Sequence, residues 1–457
     1  MSPQGAPPST LLVRNADVLV TMDGERREIR GGGFFSEGNR IAAVGTSAEL
    51  PATADRVLDL AGHAVVPGLV NTHHHMFQSL TRAIPAAQDA GLFGWLEALY
   101  PIWERITPEM IRVSTLTAMA ELILSGCTTS SDHLYLFPNG CSLEDSLQSA
   151  AEIGMRFHAA RGSMSVGRSH GGLPPDSLVE QEPAILADTQ RLIELRHDPG
   201  RFAMQRIAVA PCSPFSVSRD LMRESASLAR SLGVRLHTHL AENDSDVAYS
   251  RERFGMTPAQ YAEELGWVGR DVWHAHCVKL DDAGIDLFSL TGTGVAHCPC
   301  SNMRLGSGIA PVRRMIEKRV RVGIGVDGSA SNDAGSLLGE ARQAMLLQRV
   351  GLGASAMSAR QALELATLGG ASVLGRDDIG VLAPGMAADF AAFNLRGANM
   401  AGALHDPVAA LVFCAPERAS WVVIDGKVVV EHGRLSTIEL ERVLERHNRL
   451  ARRLVSG

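Results

Sequence analysis

"VVPGLVNTHHH", residues 65–75, is the stretch on which the fold turns. Two short apolar segments flank a Pro-Gly pair, and the second runs straight into three consecutive histidines. An apolar run of this length, bounded by Gly and Pro, reads as a buried strand, so polar side chains begin where the strand ends. A doubly wound sheet would place a Gly-rich phosphate turn after its first strand, and histidines stand there instead. In a parallel barrel, chemistry collects at the carboxyl ends of the strands.

Seven further runs share this character: "GCTTSSDH", "MRFHAARGS", "RIAVAPCSP", "VRLHTHLAE", "DVWHAHCV", "GVAHCPCSN" and "VGIGVDGSA". Most follow an amphipathic helical pattern, such as "TPEMIRVSTLTAMAELILSG", with Thr107 and Pro108 at its start and Gly126 at its end. Eight such units predict an α/β fold, a (β/α)₈ TIM-type barrel over residues 67–377. Short strand-like runs fill residues 11–66, and the style returns in "AADFAAFNL" and "WVVIDGKVVVEHG", where Asp425 and Gly426 signal a two-residue hairpin. Neither end has enough strands to bury a face alone. Residues 1–66 and 378–435 are therefore expected to form one small β-sandwich-like domain. Residues 436–457 predict a C-terminal helix, with Ser436 or Thr437 as its N-cap.

With 45% hydrophobic residues, 20% charged residues and a net charge of -7 over 457 residues, the composition is that of an ordinary globular protein. Nothing in it points to a nucleic-acid or membrane partner. The start carries no secretory pattern and no apolar run spans a bilayer, so the expected location is cytoplasmic. Seven scattered cysteines argue against a disulfide framework and for a reducing compartment. Cys298 and Cys300, in "HCPCSN", read as a turn. Self-association into a homo-oligomer stays open.

His73, His74, His75, His133, His237, His239, His274, His276 and His297 all fall at or near predicted strand ends, and Asp327 ends the eighth. Alternate residues of a strand share a face, so His73 and His75 point together while His74 points opposite. The same period pairs His237 with His239 and His274 with His276. A catalytic divalent ion needs three or four N or O ligands and an open position, and His73, His75, His239 and Asp327 would supply four.

The segments "PGLVNTHHH", "HTHLAE", "AHCV", "HCPCSN" and "GVDGSASND" resemble the amidohydrolase superfamily, and within it the purine and triazine deaminase branch. The resemblance covers nearly the whole chain. It implies the same four metal ligands; His74, at the variable middle position, reads as a packing residue or as one that supports the ligands from behind. Many relatives bridge two metals with a carbamylated lysine at the end of the fourth strand. This sequence has "RIAVAPCSPFS" there, which implies one divalent ion, zinc first and iron as the alternative.

Hydrolysis at the ion calls for a carboxylate that moves protons between water and leaving group. Glu242 stands three residues after His239, and the resemblance gives it that task. It also implies that His276 hydrogen-bonds the attacking oxygen and that Asp327 doubles as first proton acceptor. The implied substrate is a small flat nitrogen heterocycle. Gln78 matches a glutamine with which guanine deaminases bond the purine ring. The loops after the first and third strands resemble those of bacterial 8-oxoguanine deaminases, which implies conversion of 8-oxoguanine to urate and ammonia. A triazine amino- or chlorohydrolase and a non-catalytic barrel scaffold are the alternatives. Arg161, ending the third strand, either meets a ring carbonyl or forms an ordinary salt bridge. Phe93, Trp95, Tyr100 and Trp103 either shield the ring or pack as a helical stripe.

Overall fold

The structure is a computed structural model that describes residues 9–416 and 418–457. All eight predicted runs contain a strand of one parallel sheet: β1 (Leu69–Asn71), β2 (Cys127–Leu134), β3 (Arg156–Ser163), β4 (Gln205–Pro211), β5 (Arg235–Leu240), β6 (Val272–His276), β7 (Gly294–His297) and β8 (Arg321–Ile324). They lie in chain order, as a (β/α)₈ barrel requires. The last strand meets the first through Thr72 N–H, which donates to the Ile324 carbonyl at 2.9 Å.

Of the connecting helices, two cover the mouth or flank of the barrel early in the chain: α1 (Leu92–Trp103) and α2 (Pro108–Leu124). The Thr107 side chain caps α2 by accepting from Met110 N–H, and Pro108 at the first position has no N–H to leave unpaired. A short helix, α3 (Pro299–Arg304), follows β7, and α4 (Leu440–Ser456) ends the chain. The predicted cap of α4 is wrong. The helix starts after Glu439, without a side-chain cap, because the Ser436 hydroxyl is spent on the carbonyls of Val428 and Val429.

Strands from both ends of the chain form two further sheets. His63–Pro67 pairs antiparallel with Phe390–Asn394, so the two ends share one sheet. Period-2 alternation lets that sheet face two cores. Val65, Phe390 and Ala392 meet Leu11, Phe34 and Ile41 of the other terminal sheet, whereas Val66, Ala391 and Phe393 join the core of the barrel. Asp425 (φ 54) and Gly426 (φ 72) both adopt the left-handed region, the conformation of the tight hairpin turn their sequence signalled.

Candidate active site

The carboxyl ends of β1, β5, β6 and β8 converge on a buried cluster. Among the described residues, two overlapping sets have potential ligand atoms within 4.8 Å of one another: His73, His75, His133 and His239, and His73, His239, His276 and Asp327. The four predicted ligands lie within them. His75 Nε2 is 3.1 Å from His239 Nε2, and Asp327 Oδ1 is 3.2 Å from His73 Nε2 and 3.4 Å from His75 Nε2.

Each imidazole is oriented by its other nitrogen. His75 Nδ1 donates to the His133 carbonyl at 2.7 Å, and His239 Nδ1 donates to the Cys212 carbonyl at 2.6 Å. His237 gives its Nδ1–H to the Trp273 carbonyl, so its Nε2 accepts from His73 Nδ1 at 2.8 Å. These bonds fix the tautomers and leave three Nε2 lone pairs facing one point, the arrangement in which outer hydrogen bonds prepare histidines for a metal. Burial holds all three rings in the neutral form, His239 at about 3, and neutral imidazole is the ligating state. His73 Nε2 is buried without a hydrogen-bond partner. The donor set therefore fits a divalent ion bound through nitrogen and oxygen.

Asp327 is turned toward this point by a left-handed φ of 64. Its Oδ2 accepts from the hydroxyls of Ser301 and Ser331, which leaves Oδ1 facing the histidines. Gly328 beside it lets Gln78 approach, since a Cβ there would stand 1.8 Å from Gln78 Oε1. His74 points away: its Nδ1 accepts from His75 N–H at 2.8 Å.

Glu242 follows β5 in the turn before the next helix, and its backbone N–H is held by Asp246. Burial, reinforced by the Asp327 charge, pushes its carboxyl up to about 7 against the opposing pull of His276. A carboxyl of that acidity can both take and give a proton near neutrality. His276 Nε2 lies 3.6 Å from Glu242 Oε2 and 3.9 Å from Asp327 Oδ2, and its Nδ1 donates to Asn302 Oδ1 at 2.9 Å. Burial opposes protonation of His276, but the two carboxylates outweigh it and raise its pKa.

A cavity opens over these groups, lined by Gln78, Trp95, Tyr100, Tyr135 and Phe215 among others. The four predicted aromatics lie on α1. Trp95 and Tyr100 face the cavity, Trp103 packs edge-on to Phe77, and Phe93 packs against Phe215. Gln78 sits on a short 3₁₀ turn directly after His75, with its amide 3.3 Å from the Tyr135 hydroxyl.

Of the two roles open to Arg161 the salt bridge is the one found, and the facing of His274 needs correction. Arg161 does not reach the cavity. It pairs in register with Val209 on the outer face of the barrel, where Glu180 and Asp188 bind its guanidinium and the Phe137 ring stacks under it. His274 does not share a side with His276, because His276 leaves the strand at φ 70. His274 instead packs outward on Phe288 and donates to the Trp267 carbonyl. Three residues were missed: Asn302, Ser301 and Tyr135. The first two belong to "HCPCSN", read as a turn, which begins α3 at Pro299. Tyr135 lies one residue beyond β2, and only the position of His133 pointed toward it.

The whole forms a parallel barrel with a buried histidine–aspartate cluster at its carboxyl mouth and a carboxylic acid beside it. The profile of the Amidohydrolase family matches residues 64–429, and the chain belongs to that family. It is similar to 8-oxoguanine deaminase of Pseudomonas aeruginosa, 43% identical over 97% of this chain and 99% of that one. Hydroxydechloroatrazine ethylaminohydrolase of Pseudomonas sp. strain ADP is 39% identical over 88% and 85%. The crystal structure of atrazine chlorohydrolase TrzN from Arthrobacter aurescens TC1, complexed with zinc, superposes with a TM-score of 0.92 at 36% identity, over 96% of this chain and 100% of that one. The chain is thus an amidohydrolase, an enzyme that hydrolyses C–N bonds in cyclic amidines. No helix among the described residues is long and apolar enough to cross a membrane.

Proposed function

We propose that the chain is a deaminase that converts 8-oxoguanine and water to urate and ammonia, with His73, His75, His239 and Asp327 holding one divalent ion, zinc in the first place. The observation that carries this reading is the placement of Glu242, buried and poised near neutrality, 3.6 Å from His276 at the floor of an aromatic-walled cavity. An ion held there would supply Lewis acidity, lowering the pKa of bound water toward neutrality.

The chain's own residues divide the remaining work. Asp327 takes the first proton from the attacking water. Glu242 carries the water's other proton to the ring nitrogen, and the proton held by Asp327 passes to the amine, which leaves as ammonia when the C–N bond breaks and the C=O forms. His276, its Nδ1 tied to Asn302, aims Nε2–H at the oxygen on which charge develops. Trp95, Tyr100, Tyr135 and Phe215 enclose a flat ring and exclude water. The Gln78 amide, held among the described residues only by long contacts to Tyr135 and the Ala330 N–H, is free to bond a purine edge. Relatedness at 43% identity to an 8-oxoguanine deaminase supports the choice of ring.

A triazine substrate is the second reading, supported by the likeness to the chlorohydrolase. Ammonia release from 8-oxoguanine, guanine, isoxanthopterin and melamine-type compounds separates the two. The highest kcat/KM is expected for 8-oxoguanine, with guanine weaker, since a site built for an added carbonyl leaves polar groups unpaired against an analogue lacking it. A triazine that outperforms both purines would transfer the assignment to the second reading.

A further inference from the structure

The opposite end of the barrel holds a second concave site. At the amino-terminal mouth, a cavity of roughly 130 Å³ is lined by His158 of β3, Arg206 and Ala208 of β4 and Arg235 of β5, with His197, Pro199 and Gly233 at its edge. His158 pairs in register with Arg206, and Ala208 with Arg235, so all four side chains lie on the inner face of the sheet. Arg235 and His239 are four residues apart on one strand, roughly 13 Å at the usual rise. The cavity is therefore separate from the catalytic mouth.

Its two arginines touch no counterion. Nearby Asp378 is taken by a bidentate pair with Arg376 (2.7 and 2.9 Å), Asp271 by Arg230 and Asp377 by Arg201, and Asp198, whose charge also acts on Arg206, accepts from the Gly200 N–H. Among the described residues, neither Arg206 nor Arg235 has a carboxylate within 4.0 Å. Arg206 Nη2 meets only the carbonyls of Pro199 and Gly200, and Arg235 Nη2 that of Val373. Both Nε atoms are buried donors with no partner, so the fold does not saturate either guanidinium.

We propose that this cavity binds an oxyanion of phosphate size, held between the guanidinium groups of Arg206 and Arg235. Two arginines without a carboxylate partner line this one cavity, and each guanidinium offers the forked donor pattern that phosphate and sulfate accept. Burial, then the neighbouring Arg321, pushes Arg235 down to about 9, as expected where positive charge lacks a counterion. The volume admits the oxyanion but not a nucleoside. A phosphorylated ligand would have to leave its remainder outside.

Calorimetric titration of the metal-loaded enzyme with inorganic phosphate, in a constant chloride background, tests this. Arg206→Gln, at the partly exposed rim, is expected to weaken binding by roughly tenfold or more, with kcat and KM unchanged. Arg235→Gln should do the same; if it does not fold, Arg206→Gln decides alone. A nucleoside 5′-monophosphate that binds as tightly as phosphate and is equally sensitive to Arg206→Gln identifies the source as a phosphorylated molecule. Phosphate binding alone identifies the free anion. No phosphate binding to the wild type, or binding that Arg206→Gln leaves intact, would overturn the site and reduce both arginines to carbonyl caps at the barrel floor.

Discussion

His74 stands between two ligand candidates and shares nothing of their geometry. Its Nδ1 accepts from the next backbone N–H, and burial holds the ring neutral at about 3. His74→Asn keeps an acceptor of similar reach, so metal content measured by elemental analysis should stay near one ion per chain. His73→Asn and His75→Asn should each lose most of it. Equal loss in all three variants would contradict the facing described above, and two ions per active chain would contradict the single-ion assignment. Glu242→Gln is the sharper residue-scale test. Glutamine keeps the size and can donate, but it cannot take a proton from water. The ion should stay bound while kcat falls by roughly 10² to 10⁴, the range of general acid–base catalysis. A metal-loaded variant with more than about a tenth of wild-type turnover would remove Glu242 from the chemistry. Strand alternation was enough to read which of the three histidines turn inward at β1. It failed at His274 because alternation assumes extended backbone, and His276 and Asp327 leave it at φ 70 and 64. No local sequence signal marks a left-handed histidine.

At the scale of elements, the site depends on α3, only six residues long. Ser301 fixes Asp327 and Asn302 fixes His276, so one short helix orients two groups from different strands. Asn302→Ala should free the His276 ring and cost roughly 10- to 100-fold in kcat, the usual range for outer partners of a metal site, with the ion retained. The distinguishing readout is the split between constants: KM should move little, because Asn302 is not among the residues lining the cavity. A change confined to KM would place Asn302 in substrate binding instead. This helix was readable in principle, since Pro299 occupies the position where proline favours a helix start. The two cysteines around it drew the reading toward a turn. The two roles open to Arg161 could not be separated for a related reason: a residue at a strand end faces either the mouth or the helix layer, and parity through Val209 decides it in favour of the salt bridge. The carboxylates that bind it, Glu180 and Asp188, come from later segments that the strand itself does not specify.

The whole molecule was most legible where the signal was periodic, as in the eight apolar runs and the Asp425–Gly426 turn, and least where contacts span the chain. Arg156, the first residue of β3, is fully buried and binds Asp389 bidentately, at 2.9 Å through Nε and 3.1 Å through Nη2. Asp389 Oδ1 also accepts the Asp425 N–H at 2.7 Å, so the pair ties the barrel floor to the turn of the terminal hairpin. The partners lie 233 residues apart, and neither has a local pattern that names the other. Removing Asp389 leaves the buried Arg156 with only the longer 3.5 Å carboxylate contact to Asp425 among the described residues, at a cost of up to about 3–5 kcal/mol. Asp389→Asn should therefore lower the urea midpoint strongly at an unchanged slope. The double variant Arg156→Met with Asp389→Leu removes both fully buried charges, leaves only the partly exposed Asp425 without its cation, and should recover much of that loss, because a buried ion pair is worth little more than a well-packed apolar pair. If the double variant is as unstable as the single one, the pair contributes packing and backbone anchoring rather than charge compensation. If Asp389→Asn leaves the midpoint in place, the barrel is held to the terminal sheets by the apolar contacts of Val66, Ala391 and Phe393 alone.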